Sequence, residues 1–261
     1  MKSLNNTIAK CFLGLFLAST AVSASAQTAP ATTPSTPTAA FSYGADVVSS
    51  YIWRGFTENT TPNVQPTASF TYGGLTLGAW GSESFDGKYK EVDFSVAYAF
   101  NNLFSIAITD YDWNTLQTGT LKYGNYFAYK NDSTGHVFEG TISYAGVKAF
   151  PLSVSVNTMF YGADKKISSD GTKLENAYST YVELGYPVAK NAKLSVGGLY
   201  TSAKDGLNAY GVTQKGFNIT NIALRVNKDI KITDSFTLPV YGIVGFNPEA
   251  LSSFFVAGVS F

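Results

Sequence analysis

From Glu91 to Phe100 the chain alternates without a break: Val92, Phe94, Val96, Tyr98 and Phe100 interleave with Glu91, Asp93, Ser95, Ala97 and Ala99. A period of two belongs to an extended strand with two unlike faces. The pattern recurs where Leu152, Val154 and Val156 face away from Ser153, Ser155 and Asn157. It recurs again where Tyr178, Thr180, Val182, Leu184 and Tyr186 oppose Ser179, Tyr181, Glu183 and Gly185. Followed along the chain, it predicts strands near 42–54, 63–72, 75–83, 90–100, 103–112 and 136–145. A second set follows near 150–161, 176–187, 193–203, 216–227, 235–246 and 251–261. Pro66 and Pro239 interrupt the ladder in two of them, which predicts a bulge or an edge. In the tenth, Phe217 and Ile219 lie on one parity and Ile222, Leu224 and Val226 on the other, so a bulge is expected near Thr220.

The connections alternate in length. Gly73-Gly74, Asn101-Asn102, Gly146–Ala149, Pro187–Asn191 and Asn227–Asp234 form a short set, interleaved with the mostly longer 55–62, 84–89, 113–135, 162–176 and 204–215; the last loop, 247–250, is short and breaks the trend. Short turns at one end and long loops at the other describe an all-β, transmembrane, antiparallel up-and-down barrel of about twelve strands. Aromatic residues fit this. Tyr43 and Trp53 share a face, and ten residues at ~3.3 Å, tilted ~40°, span roughly 25 Å, the height of an apolar belt. Tyr43, Trp53, Tyr72, Tyr98, Phe100 and Tyr186 are expected in aromatic girdles, with Phe70, Phe104 and Phe236 beside them.

Residues 1–26 read as a secretory signal, with Lys2 and Lys10 before an apolar stretch and Ala24-Ser25-Ala26 as the cleavage site. Residues 27–40, Thr, Pro, Ala and Ser for the most part, read as a disordered linker, and 41–261 as the barrel. The single cysteine, Cys11, leaves with the signal, so the mature chain has no disulfide or thiolate chemistry. Loss of Lys2 and Lys10 leaves 16 basic against 18 acidic residues, a balance that does not suggest nucleic acid. At the far end Phe255, Val259 and Phe261 share a face in the manner of a barrel assembly signal. Outer-membrane lipid, lipopolysaccharide and the barrel assembly machinery are the expected partners, in the outer membrane of a Gram-negative bacterium.

The residue supply argues against an enzyme. There is one histidine, and no G-x-S-x-G, H-E-x-x-H or P-loop pattern. His136 lies near Asp132 and Ser133 in what reads as a solvated loop, where nothing rigid holds a nucleophile to a base. Asp110, Asp112 and Asn114 mimic the start of a calcium loop, but Thr115 replaces the turn glycine and Leu121 the bidentate glutamate. No cofactor or metal is expected.

The inward parity carries the charges: Asp46, Arg54, Glu91, Asp93, Glu139, Glu183 and Lys193. They line a water path or pair as a plug, and the residues alone leave both open. Twelve strands give a backbone diameter of roughly 24 Å and a lumen of about 10–12 Å, wide enough for small solutes. Small inward residues such as Thr76, Gly78, Ser95, Ala97, Ser153, Ser155 and Ser195 favour an open path. The expected function is a porin-like channel for passive passage of small solutes, weakly cation-preferring from its acidic excess. The alternatives are a structural or adhesive barrel using its loops, then a barrel enzyme.

The opening run Ser49-Ser50-Tyr51-Ile52-Trp53-Arg54-Gly55, with Gly78-Ala79-Trp80-Gly81-Ser82 and the Glu91/Asp93 strand after it, resembles the TorF-type outer-membrane porin family. The likeness covers the first 60 or so residues of the mature chain. It implies a barrel and no particular solute.

Overall fold

The computed structural model describes residues 38–113, 126–131 and 133–261. The signal 1–26, linker residues 27–37 and the positions Asn114, Thr115, Leu121 and Asp132 discussed above lie outside the described residues. The strands are β1 (Ala40–Val48), β2 (Tyr51–Trp53), β3 (Phe56–Asn59), β4 (Asn63–Tyr72), β5 (Leu75–Ser84), β6 (Lys90–Ala99), β7 (Phe104–Asp112) and β8 (Val137–Tyr144). Next come β9 (Ser153–Gly162), β10 (Lys165–Ile167), β11 (Leu174–Asn176), β12 (Thr180–Ala189), β13 (Ala192–Thr201), β14 (Gly216–Lys231), β15 (Thr237–Asn247) and β16 (Ser252–Ser260).

Twelve of these close a barrel in which each strand pairs with its sequence neighbour, and β1 meets β16. The remaining four make two small hairpins, β2–β3 and β10–β11, set into long loops. All wall pairs are antiparallel, so the alternation of short turns and long loops read from sequence holds. β1 begins at Ala40, which pairs with Thr71, so the residue expected to end the linker already belongs to the wall.

The alternating faces sort as the pattern requires. On β6, Val92, Phe94, Val96 and Tyr98 are exposed on the outside while Glu91 and Asp93 are buried within. Leu75 and Leu77 on β5 and Ile106 and Ile108 on β7 continue the outer apolar surface. An exposed band of this extent requires hydrocarbon around it. Tyr43, Tyr72, Tyr98, Phe100 and Tyr186 are exposed near the short-turn rim. Phe255 and Phe261 also face outward.

Three expectations are corrected in detail. The first strand does not run to residue 54: the chain leaves the wall after Val48 and turns inward. Trp53 is therefore 1% exposed, inside the barrel rather than in a girdle, and the loop-side aromatics on the outer surface are Phe160, Tyr200, Phe217 and Phe246. The prolines cause no register shift. Pro66 pairs with Ala45 and Pro239 with Asp229, and the β4–β5 register is the same on both sides of Pro66, with only the pairs at Gln65 and Pro66 missing. The bulge in β14 does occur where the phase change put it: Gly197 faces Asn221 and Gly198 faces Ile219, leaving Thr220 as the extra residue.

Candidate functional site

Residues 49–62 link β1 to β4, yet Val48 and Asn63 at their root are register partners. The segment is thus an insertion into a hairpin of the wall, and it folds into the lumen. Its tip is a two-residue turn, Arg54-Gly55, with φ of 54° and 88°. Positive φ at both positions gives the tight turn that matches strand twist. Arginine rarely adopts it, which implies that its side chain is held elsewhere. Gly55 is required for a second reason: a Cβ there would stand 1.8 Å from the Thr220 carbonyl. The tip presses onto the β14 bulge, where Thr220 Oγ1 donates to the Arg54 carbonyl (3.1 Å) and Asn247 Nδ2 to that of Gly55 (3.2 Å).

The Arg54 side chain is the latch. Its guanidinium makes a forked pair with Glu139 on β8, Nη1 to Oε2 at 2.6 Å and Nη2 to Oε1 at 2.7 Å. Nη1 also donates to the Tyr210 hydroxyl in the loop between β13 and β14. The group lies 4.6 Å from the Trp53 ring centre and 4.7 Å from that of Tyr181. Both partners of the pair are almost wholly buried. A fork of this kind is the strong form of an ion pair, and burial makes loss of one partner costly. Burial raises the Tyr210 hydroxyl above its ordinary range, and the Arg54 charge opposes this.

Around the latch the loop-side half of the lumen is a packed core. Trp53 stacks on Tyr210 at 4.7 Å and meets Tyr111 edge-on at 5.8 Å, while Tyr51 packs against Trp80 and Tyr89. Tyr89 donates to Glu91 at 2.6 Å and Tyr111 to Glu139 at 3.0 Å. The Tyr210 loop is itself tied down by Asp164, whose carboxylate accepts from Ser179 N–H, Ser179 Oγ and Ala209 N–H. Burial pushes the Asp164 carboxyl up, and these donors oppose the shift.

The other half of the lumen is open. A cavity of about 440 Å³ runs from the turn residues Asn101 and Asn102 up to Ile52, Arg54 and Gly55 of the hairpin. Of the seven expected pore-lining charges, Arg54, Glu183 and Lys193 border it. Asp46, Glu91, Asp93 and Glu139 face inward without bordering it. Asp46 accepts from the Tyr241 hydroxyl at 2.9 Å, and the other three are buried in the packed half. Arg225, whose side depended on the bulge, is inside, with its guanidinium 3.6 Å from the Tyr241 ring centre. The sequence reading had no role for Tyr210, Thr220 or Asn247. Only the phase change at Thr220 pointed to one of them.

His136 is not a solvated loop residue. It is 1% exposed, with Nδ1 2.8 Å from Asp110 Oδ1, Nε2 2.6 Å from the Tyr126 carbonyl and its ring stacked on Tyr129 at 4.3 Å. Both nitrogens are engaged, so neither is directed at a nucleophile. His136 pins the chain before β8 to the end of β7. His136→Ala is expected to destabilise this corner by about 2–3 kcal/mol, the cost of leaving buried acceptors unpaired. Faster hydrogen–deuterium exchange at Tyr126–Asn131, with the wall strands unchanged, would show it; uniform exchange would refute the role.

A closed barrel with an apolar outside, polar wall residues within and both end strands at the short-turn rim is the architecture of an integral membrane barrel. No known family model matches the chain, and no curated protein matches it. Among solved structures it is similar to a KdgM porin in complex with disordered oligogalacturonate, at 12% identity over 86% of this chain and 98% of that one, TM-score 0.42. It is similar to a second KdgM porin structure at 12% identity with the same coverage, TM-score 0.41. A NanC porin in a rhombohedral crystal form gives 8% identity over 84% of this chain and 98% of its own, TM-score 0.44.

Proposed function

We propose that the chain is a TorF-type, porin-like channel of a Gram-negative outer membrane, passing small solutes and closed in its outer half by the β2–β3 hairpin. The observation that carries this reading is the cavity, which reaches the short-turn rim and ends beneath Arg54. A barrel needing only rigidity has no use for a chamber bordered by Glu183, Lys193 and Arg225 beneath a buried latch. In this reading the signal directs export, the C-terminal Phe255, Val259 and Phe261 present the chain to the assembly machinery, and the barrel performs no chemistry.

Selectivity belongs to the open state. While the hairpin is seated, Glu139 is neutralised by Arg54, and Glu91 and Asp93 are sealed in the core. Withdrawal exposes all three to a lumen about 10 Å wide, where every ion passes within roughly a Debye length of the wall. The open channel then weakly prefers cations. Planar-bilayer recording in a salt gradient tests both statements: brief small openings with a cation-type reversal potential are expected, reduced in Glu91→Gln/Asp93→Asn. An anion-type potential would refute the preference. Silence of the wild type and of a hairpin-deleted chain would refute the channel and favour a loop-presenting barrel, a reading supported by the tie between β10–β11 and the Tyr210 loop (Ile167 N–H to Asp205, 2.7 Å).

A further inference from the structure

Glu91 and Asp93 stand two residues apart on the inward face of β6, and both are buried. The ion pairs among the described residues include neither of them. The elements packed against them offer neutral or acidic groups. Ser82 and Trp80 lie opposite them on β5, and Tyr111 lies opposite Asp93 on β7. From the same strand Asp112 supplies a backbone hydrogen bond to Asp93, and Asp110 adds a further negative charge. Lys88 and Lys90 pair with Asp86 and Glu83 at the surface, and Arg54, the one base of the hairpin, is committed to Glu139.

One oxygen of each carboxyl is left over. Glu91 Oε2 accepts from the Tyr89 hydroxyl at 2.6 Å, but Glu91 Oε1 and Asp93 Oδ1 are buried and find no donor among the described residues. The two side chains bond each other. A contact between carboxyl oxygens is a hydrogen bond only when one of the groups carries a proton. A shared proton therefore satisfies both leftover oxygens and removes one of two like charges from a dry site.

The hairpin covers this site. Tyr51 on β2 hydrogen-bonds the Glu91 side chain and packs its ring on Trp80 and Tyr89, while Glu58 on β3 brings a third carboxyl to the same pair. Burial pushes the Glu58 carboxyl up to about 7. We propose that the seated hairpin is held by a proton shared between Glu91 and Asp93, with Glu58 beside them as a second proton site, so that acid keeps the outer half filled and rising pH releases the hairpin. The seated state binds protons that the withdrawn state, with its carboxyls in water, gives up. Seating is thus complete at low pH and weakens as pH climbs from the ordinary carboxylate range, roughly 4–5, through about 7. Each proton changes the balance by up to about tenfold per pH unit across that window. As a gate on conduction this rests on the channel reading above; as a switch in hairpin position it does not.

Amide exchange of residues 51–61 in the detergent-solubilised full chain, expressed as protection relative to the unstructured rate at each pH, reads hairpin position without conduction. Protection is expected to fall at least about tenfold from pH ~5.5 to ~7.5 while the wall strands keep theirs, and the open fraction in a bilayer should rise by the same factor. Glu91→Gln/Asp93→Asn removes the shared proton and should flatten most of the response. Glu58→Gln, which leaves the wall untouched, should make it less steep. Heat-modifiable gel migration confirms folded barrels. A response unchanged in the double variant, or protection constant across the range, would overturn the proposal. Seating that follows calcium or sodium concentration at fixed pH would place a metal cation between the acids and overturn it too. A pH-dependent hairpin in a barrel that never conducts would uphold the switch and remove the channel; a conducting barrel with a pH-independent hairpin would do the reverse.

Discussion

Excision of residues 51–61, with Ser50 joined to Pro62 through one glycine, is expected to raise single-channel conductance at least tenfold and to abolish closures. Val48 and Asn63 are already paired, so a four-residue link closes the wall hairpin without altering its register. Retention of Ser49 and Ser50 keeps the seam bonds from Ser49 N–H to the Ala257 carbonyl (2.8 Å) and from Ser50 Oγ to that of Phe255 (3.3 Å). Tyr51, Trp53 and Arg54 leave together, and the inward acids become hydrated instead of remaining buried without partners. Bilayer recording at matched salt provides the measurement. An unchanged conductance would locate the obstruction in the Tyr210 loop and demote the hairpin.

The second large effect belongs to the latch. Arg54→Ala leaves Glu139 inside a packed site with Tyr111 as its remaining donor among the described residues, and removing one partner of a buried pair typically costs about 3–5 kcal/mol. Withdrawal of the hairpin relieves that cost by admitting water. The open fraction should therefore rise at least a hundredfold. Arg54→Lys should behave similarly, because an ammonium cannot supply the fork that spans both Glu139 oxygens. The double substitution Arg54→Ala/Glu139→Ala should be less open than Arg54→Ala, since no unpaired charge remains. Equal open fractions in single and double variants would show that the ion pair does not hold the hairpin.

The wall was legible because its period is two and the hydrocarbon outside enforces it residue by residue. A one-residue error puts Val92 inside and Asp93 in lipid, a cost no such strand tolerates. The bulge at Thr220 was legible for the same reason. The hairpin was not. Val47 through Trp53 keep the alternation whether the chain continues in the wall or leaves it, since Tyr51 and Trp53 meet an apolar environment either way. One signal was present: among inward positions, Trp80, Tyr111 and Tyr181 are bulky toward the loop side, whereas Ala97, Ser153 and Ser195 are small toward the turn side. That gradient in size is a filled half and an empty half. The His136 contacts were hidden because they join positions far apart in the chain, the Asp110 carboxylate, the Tyr126 carbonyl and the Tyr129 ring, which no strand periodicity brings together.

The root of the hairpin has a further consequence. Because β1 pairs with β4 directly beneath the insertion, no ladder bond of the barrel wall passes through residues 51–61. Wall and insertion are therefore separable by inheritance: lengthening, shortening or replacing one stretch of coding sequence alters what fills the lumen while leaving the twelve-strand scaffold to insert as before. A lineage built on this plan can change the contents of its barrel without re-evolving the wall.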